Sequence, residues 1–342
     1  MNEQLQRETE KLTRSWMRHD ADWLRDYLVG SVEDPRLNVS SVLTRHFLIE
    51  AVTGARHVAL MEAELRFAIT LTWLVKQLET DAGPEDFQAI RHALAHGSDN
   101  AEGTELPAYL SETWRRLSTP EGTDAAPGGH YLDRLLTELA AAEEPRLGDS
   151  PVLDTFLCAW REALANEPPA ERLRLLEPAC GSANDYRALA ACGLDQWFAY
   201  HGFDLCEKNV TNARALFPEA SFAVGNVFAI PAADRAYDFA FVHDLFEHLS
   251  PEGWRVAVRE LCRVTGRALC VGFFKMHEEP KPIIRPIEDY YWNTLSAAEM
   301  RDLFAAEGFQ VQVISLDAFL RQAFRCDDTH NRDAYLFRCQ RG

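Results

Sequence analysis

The stretch Leu173-Arg-Leu-Leu-Glu-Pro-Ala-Cys-Gly-Ser-Ala-Asn-Asp185 constrains this chain more than any other. An apolar run (Leu173, Leu175, Leu176) ends in a carboxylate, Glu177. A turn of small residues, Ala179 to Ala183, follows, and a helical pattern begins at Asn184. Strand, tight turn and helix in that order are the entrance to a βαβ unit. Small residues let backbone approach a ligand closely, and the unpaired N–H groups of the next helix face the same place. The turn is therefore a ligand site.

The chain keeps alternating after this turn. A helix runs to about Cys192, and the strand Trp197 to Phe203 ends in Asp204, twenty-seven residues after Glu177. A carboxylate at the end of the second parallel strand is placed to accept both hydroxyls of a ribose. A dinucleotide site would want three glycines, so that a pyrophosphate can lie on the helix N-terminus. Here the turn has one glycine, Gly181, with Glu177 just before it. That carboxylate repels a pyrophosphate and suits a ligand carrying positive charge, such as a sulfonium with an amino group.

Three segments then carry a family resemblance: Glu177-Pro-Ala-Cys-Gly-Ser-Ala183, Tyr200-His-Gly-Phe-Asp-Leu205 and Tyr237-Asp-Phe-Ala-Phe-Val-His-Asp-Leu-Phe-Glu-His-Leu249. With Val224-Gly-Asn-Val227 they resemble, in order, the motifs of class I S-adenosylmethionine-dependent methyltransferases. The resemblance spans about residues 150–342. It implies an α/β fold with a doubly wound, seven-stranded, mostly parallel sheet of Rossmann-like methyltransferase type, preceded by an all-α N-terminal domain. It also implies S-adenosyl-L-methionine as cofactor and S-adenosyl-L-homocysteine as product. Carried over residue by residue, Glu177, Ala179, Gly181 and Ser182 would line the methionine end, with Asp204 and Leu205 at the ribose. Asn226 and Val227 would lie at the adenine, Asn226 accepting from its exocyclic amine through the carbonyl oxygen. Ala179 and Ala183 stand where glycine is common, and alanine fits if the backbone there avoids positive φ. Arg267 to Phe274 reads as strand five, Met300 to Ala306 as a helix, Gly308 to Ile314 as strand six, and Ala334 to Cys339 as an antiparallel seventh.

Ligands in such sheets bind outside the carboxyl ends of the strands, which places the chemistry after strands four and five. His243, at the end of strand four, resembles the general-base histidine of one O-methyltransferase subgroup, so His243 is the expected base, oriented by Asp244, beside the cofactor. Asp244, Glu247 and His248 also resemble an acid-x-x-Glu-His metal motif, with His277 as a fourth ligand. A Glu-His pair is common in metal-free relatives, where it buttresses the helix, and no metal is expected. The aromatic loop from Phe273 to Asn293 reads as the wall of a small-molecule pocket, with Phe274, His277, Arg285, Tyr290 and Tyr291 as substrate contacts.

Before this unit lie amphipathic helical patterns. They run over residues 1–28, closed by Gly30, then from Asn38 or Ser40 to Ile49, from Arg56 to Leu78, and from Pro84 to Gly97. Residues 118–129 read as a linker, and two helices at about 130–143 and 152–165 lead into the sheet. The expected division is a helical domain, 1–147, and a catalytic domain, 148–342. The helical domain is a candidate lid, substrate-recognition cap or homodimerisation surface. His92 and His96 share a helical face but lack a third ligand, and a solvated face is expected.

Among 342 residues, 53 acidic and 35 basic side chains give a net charge of −18. That excess argues against nucleic-acid and anionic-lipid partners. No apolar run reaches the roughly 18 residues of a membrane span. All eight cysteines fall after position 157 with no CxxC pair, the pattern of a reducing compartment, so a cytoplasmic location is expected. The sequence reading is methyl transfer to an O or N atom of a small molecule. Protein methylation guided by the helical domain, and a non-catalytic interaction protein, are the alternatives.

Overall fold

In the computed structural model, residues 2–96, 106–118, 129–143, 146–148, 150–165 and 170–342 are described. The N-terminal part is helical: α1 (Glu3–Met17), α2 (Ala21–Asp26), α3 (Val39–Thr53), α4 (Val58–Glu79), α5 (Pro84–His96), α6 (Ala108–Ser118), α7 (Gly129–Ala141) and α8 (Thr155–Leu164). Alternating elements follow: β1 (Leu173–Pro178), α9 (Asn184–Ala191), β2 (Phe198–Asp204), α10 (Glu207–Leu216), β3 (Ser221–Val224), β4 (Tyr237–His243), α11 (Pro251–Val264) and β5 (Thr265–Phe273). The chain ends with β6 (Met276–His277), β7 (Leu295–Ser296), α12 (Ala297–Ala306), β8 (Phe309–Ser315), α13 (Leu316–Phe324) and β9 (Tyr335–Arg341).

Seven strands form one sheet in the order β3-β2-β1-β4-β5-β9-β8. All pair parallel except β9, which runs antiparallel between β5 and β8. The strand order reverses between β1 and β4. That reversal is the topological switch point, where the loops leave opposite faces and open a crevice. The expected doubly wound sheet with helices ahead of it is the fold observed.

Local chemistry explains where the N-terminal helices begin and end. The single helical stripe expected over 1–28 is broken in two. α1 stops at Met17, and Asp20 caps α2 by accepting from Asp22 and Trp23 N–H. Asn38 caps α3 in the same way, and Gly54, at φ +67°, closes it. α4 is apolar nearly all round because it is buried continuously from Ala63 to Val75. α6 and α13 were not anticipated from the sequence. Most of the expected 118–129 linker, and Gly97, lie outside the described residues.

The packing does not follow a boundary at residue 147/148. Leu5 and Leu12 of α1 belong to the core that α11 and α12 form on one sheet face. Phe47, Leu48 and Ile49 of α3 join Leu157 and Trp160 on the other face. In return, Leu320, Phe324 and Cys326 from the end of the chain complete the helical core around α4. The helical segment thus embraces the sheet instead of standing beside it. No helix among the described residues is long and apolar enough to cross a membrane.

Candidate active site

The turn after β1 takes the left-handed conformation three times, at Ala179 (φ +56°), Gly181 (φ +53°) and Ala183 (φ +67°). The expectation that the alanines would avoid positive φ is overturned. A Cβ in this region costs roughly 1–2 kcal/mol per residue, and the surroundings enforce it here. Cys180 N–H donates to Phe203 O, Gly181 N–H to Asp204 Oδ2 at 3.0 Å, and Ala183 N–H to Cys180 O. A Cβ built on Gly181 would meet nothing within 4 Å, so that face of the turn is open to a ligand.

Two buried carboxylates flank this turn. Glu177 accepts from the Tyr200 hydroxyl. Asp204 accepts from Gly181 N–H, Cys206 N–H and the Asn209 amide. Burial pushes the Glu177 carboxyl well above its usual range, and the nearby charge of Asp185 pushes it further against the Tyr200 hydrogen bond. Burial also raises Asp204, opposed by its three donors. A buried acid whose charged neighbours are themselves acids is short of a cation. A ligand bearing an ammonium and a sulfonium supplies that charge, so these residues fit S-adenosylmethionine.

Both carboxylates open into a cavity of about 550 Å³ at the switch point. Ala179, Gly181, Leu205, His243, Asp244 and Phe274, each named from the sequence, are among its lining residues. The sequence reading missed the opposite wall: Leu12 and Trp16 of α1, Tyr27 and Glu33 beyond α2, Ser40 and Ser41 of α3, and Leu316 and Leu320 of α13. Ser182, Asn226 and Val227 do not line the cavity. Ser182 donates to Asn209 and is buried, while Asn226 bridges the Thr9 hydroxyl and Phe228 N–H.

α1 is held over the sheet by specific contacts. Glu8 accepts from both the backbone N–H and the hydroxyl of Ser250 at the start of α11. Lys208 donates to the carbonyls of Met17 and His19, covering the otherwise unpaired end of α1. Arg14 and Arg18 reach Asp289, pulling the 278–293 segment onto the outside of α1. That placement keeps four of the expected substrate contacts away from the cavity. His277, Arg285, Tyr290 and Tyr291 do not line the cavity; Arg285 is exposed, and the two tyrosines border a separate groove against α1.

His243 is engaged on both ring nitrogens. Nδ1 lies 3.2 Å from Asp185 Oδ2, and Nε2 lies 3.0 Å from Thr44 Oγ1. The carboxylate that orients it is therefore Asp185 of α9, not Asp244. Burial pulls its pKa down, but the charge and hydrogen bond of Asp185 outweigh this and leave it raised. Asp185 is correspondingly lowered: burial raises it, and His243 more than compensates. With Asp185 at one ring nitrogen and Thr44 at the other, an incoming acceptor must displace one of them before His243 can take its proton. Gly272 of β5 makes room for it, since a Cβ there would sit 2.5 Å from His243 Cδ2 and 2.8 Å from Ser40 Oγ.

Asp244 and the Glu-His pair have separate roles. Asp244, at φ +53°, lines the cavity, and no hydrogen bond reaches its carboxylate among the described residues. Its side chain is open to the cavity, and the enclosing walls together with the charges of Glu247 and Glu33 push its pKa up. Glu247 is fully buried and accepts from Phe274 and Lys275 N–H, while His248 Nδ1 lies 3.2 Å from Tyr291 O. These side chains brace the loop that carries Phe274. Among the described residues no group of three His, Cys, Asp or Glu side chains is arranged to hold a metal.

A sheet of this order, with acids at the ends of β1 and β2 beside its switch point, is a Rossmann-like fold with a nucleoside-type site. Residues 175–267 match the family model of a methyltransferase domain. Over the matched residues the chain has a methyltransferase domain, in the fold expected of the class I S-adenosylmethionine-dependent enzymes, and the turn after β1 fits S-adenosylmethionine as its cofactor. Similar solved structures include a putative methyltransferase from Haloferax volcanii in complex with the Trm112 methyltransferase activator. It has 22% identity over 54% of this chain and 89% of that one, with a TM-score of 0.37. A methyltransferase from Methanosarcina mazei has 16% identity over 51% and 94%, TM-score 0.40. Magnesium protoporphyrin IX methyltransferase from Synechocystis with bound S-adenosylhomocysteine has 17% over 55% and 81%, TM-score 0.38. A search of curated proteins found no match.

Proposed function

We propose that this enzyme moves the methyl group of S-adenosylmethionine to an O or N atom of a small-molecule acceptor held beneath its N-terminal helices. The observation that carries this reading is the cavity shared between the strand ends and α1 to α3, with Glu177 and Asp204 on one wall and Phe274 on another. The cofactor supplies a methyl group on a sulfonium, whose leaving group is a neutral thioether. Glu177 takes the cationic methionine end, Gly181 lets the backbone approach, and Asp204 takes the ribose hydroxyls. His243, fixed by Asp185 and Thr44, positions the wall between cofactor and acceptor. α1 excludes water and holds acceptor and methyl at near-attack distance, which is where most of the rate arises.

A roofed cavity favours a small acceptor over a protein chain. Incubating the full chain with methyl-labelled cofactor and a crude cell extract tests this. Label is expected in the low-molecular-weight fraction, and label confined to protein would refute the reading.

A further inference from the structure

The charges lining the cavity are lopsided. Glu33, Glu177, Asp185, Asp204, Asp244 and Asp328 contribute carboxylates, and no lysine or arginine is among the residues that line it. Four of these acids are accounted for. Asp185 pairs with His243, Asp328 with Lys76 at 2.7 Å, and Glu177 and Asp204 belong to the cofactor's share of the site. Glu33 is held by Asn38 and His330. Asp244 alone has no hydrogen-bonded or ion-paired partner among the described residues.

The same carboxylate stands at the end of β4, next to the strand that ends the cofactor wall, in a backbone conformation few residues adopt. Phe274 and Trp292, with ring centroids 4.9 Å apart, also line the cavity, and aromatic faces stabilise cations. Leu316 and Leu320 give the far wall an apolar surface.

Resting on the methyltransferase reading above, we propose that the acceptor is a primary or secondary amine with an apolar body, bound as its ammonium against Asp244. An anionic acceptor would meet these acids with no lysine or arginine lining the cavity and with His243 already paired to Asp185, and a neutral alcohol would give the open Asp244 carboxylate no charge partner. The ammonium gives one proton to the Asp244 carboxylate. The freed nitrogen lone pair then forms the N–C bond to the methyl carbon as the C–S bond breaks. That bonding pair stays on sulfur, which passes from sulfonium to neutral thioether. The product leaves as the methylated ammonium, and Asp244 returns its proton to water. A carboxyl open to the cavity and raised by its enclosing walls and the charges of Glu247 and Glu33, with His243 opposing and Asp185 adding, suits that exchange.

The test is calorimetry on the full chain. S-adenosylhomocysteine is titrated first, then phenethylamine, 2-phenylethanol and 3-phenylpropanoate into the saturated complex. Asp244→Asn is run alongside, because asparagine tolerates the left-handed backbone. The amine should bind at least tenfold tighter than the alcohol and the carboxylate weakest. Asp244→Asn should abolish the amine's advantage while S-adenosylhomocysteine binds unchanged. An amine no tighter than the alcohol, including no binding by any of the three, overturns the proposal, as does a preference that survives Asp244→Asn. If S-adenosylhomocysteine itself fails to bind, the cofactor site falls and the acceptor class with it. If it binds and the amine is not preferred, only the acceptor class falls.

Discussion

Replacing Gly272 by alanine should damage the site by crowding His243. The added methyl would lie 2.5 Å from His243 Cδ2 and 2.8 Å from Ser40 Oγ, both inside van der Waals contact. His243 cannot yield freely, because it is fixed by Asp185 at 3.2 Å and Thr44 at 3.0 Å. Overpacking a core of this density costs about 1–3 kcal/mol. Pushing the imidazole off one partner forfeits a charged hydrogen bond worth about 1.5–3 kcal/mol. Together the loss is about 2.5–6 kcal/mol. At about 2 °C per kcal/mol for a long chain, the melting temperature should fall by roughly 5–12 °C. Gly54→Ala is the control: its φ is also positive, but a Cβ there meets nothing within 4 Å, so only about 1–2 kcal/mol of backbone strain applies. Differential scanning calorimetry reads both variants, and S-adenosylhomocysteine titration should show Gly272→Ala weakened as well. Equal melting shifts for the two variants, or Gly272→Ala with wild-type stability and affinity, would refute the claim that His243 is clamped.

Two further perturbations probe the lid and the buried acids. Glu8→Ala removes the buried acceptor of both Ser250 donors, whereas the Arg14 and Arg18 pairs to Asp289 are more than half exposed on the arginine side and worth little. It should therefore loosen α1, weaken S-adenosylhomocysteine about tenfold and make Trp16 more accessible to acrylamide quenching; unchanged quenching would count against α1 as the roof. In the pH dependence, Glu8, Glu177 and Asp204 are all raised by burial, and Glu247 is raised from 4.5 to about 7. The folded state then holds these protons more tightly than the unfolded chain, so stability falls as pH rises through that window. The raised His243 acts in the same direction, while the lowered Asp185 and Glu64 cost stability only below about pH 4. The ligand-free chain should melt higher at pH 5.5 than at pH 8, with Glu247→Gln flattening the slope; a melting temperature that rises with pH would contradict it.

The sheet was legible because its signals are local. Apolar runs ending in Glu177, Asp204 and His243 mark parallel strands whose carboxyl ends face the ligand, and each lies within one residue of the strand end the sequence implied. The other half of the cavity was not legible, because Leu12, Trp16, Ser40 and Leu320 reach it only through packing across most of the chain. Asp185 had a signal that went unused: an acid in the first turn of the helix after the cofactor turn points back at the strand ends. Nothing local distinguishes Tyr290 and Tyr291 from pocket residues. They are carried outside because Asp289 between α1 and these tyrosines is claimed by Arg14 and Arg18. The left-handed alanines were misjudged for the complementary reason, since tertiary hydrogen bonds to Phe203 and Asp204 outweigh their local preference.

Titration of the full chain with S-adenosylhomocysteine, wild type beside Asp204→Ala, tests the central claim most directly. The account predicts one molecule bound per chain and, with the ribose acceptor gone, affinity lower by about tenfold or more, the equivalent of about 1.5–3 kcal/mol. Absence of binding to the wild type, or equal affinity in the two proteins, would contradict it.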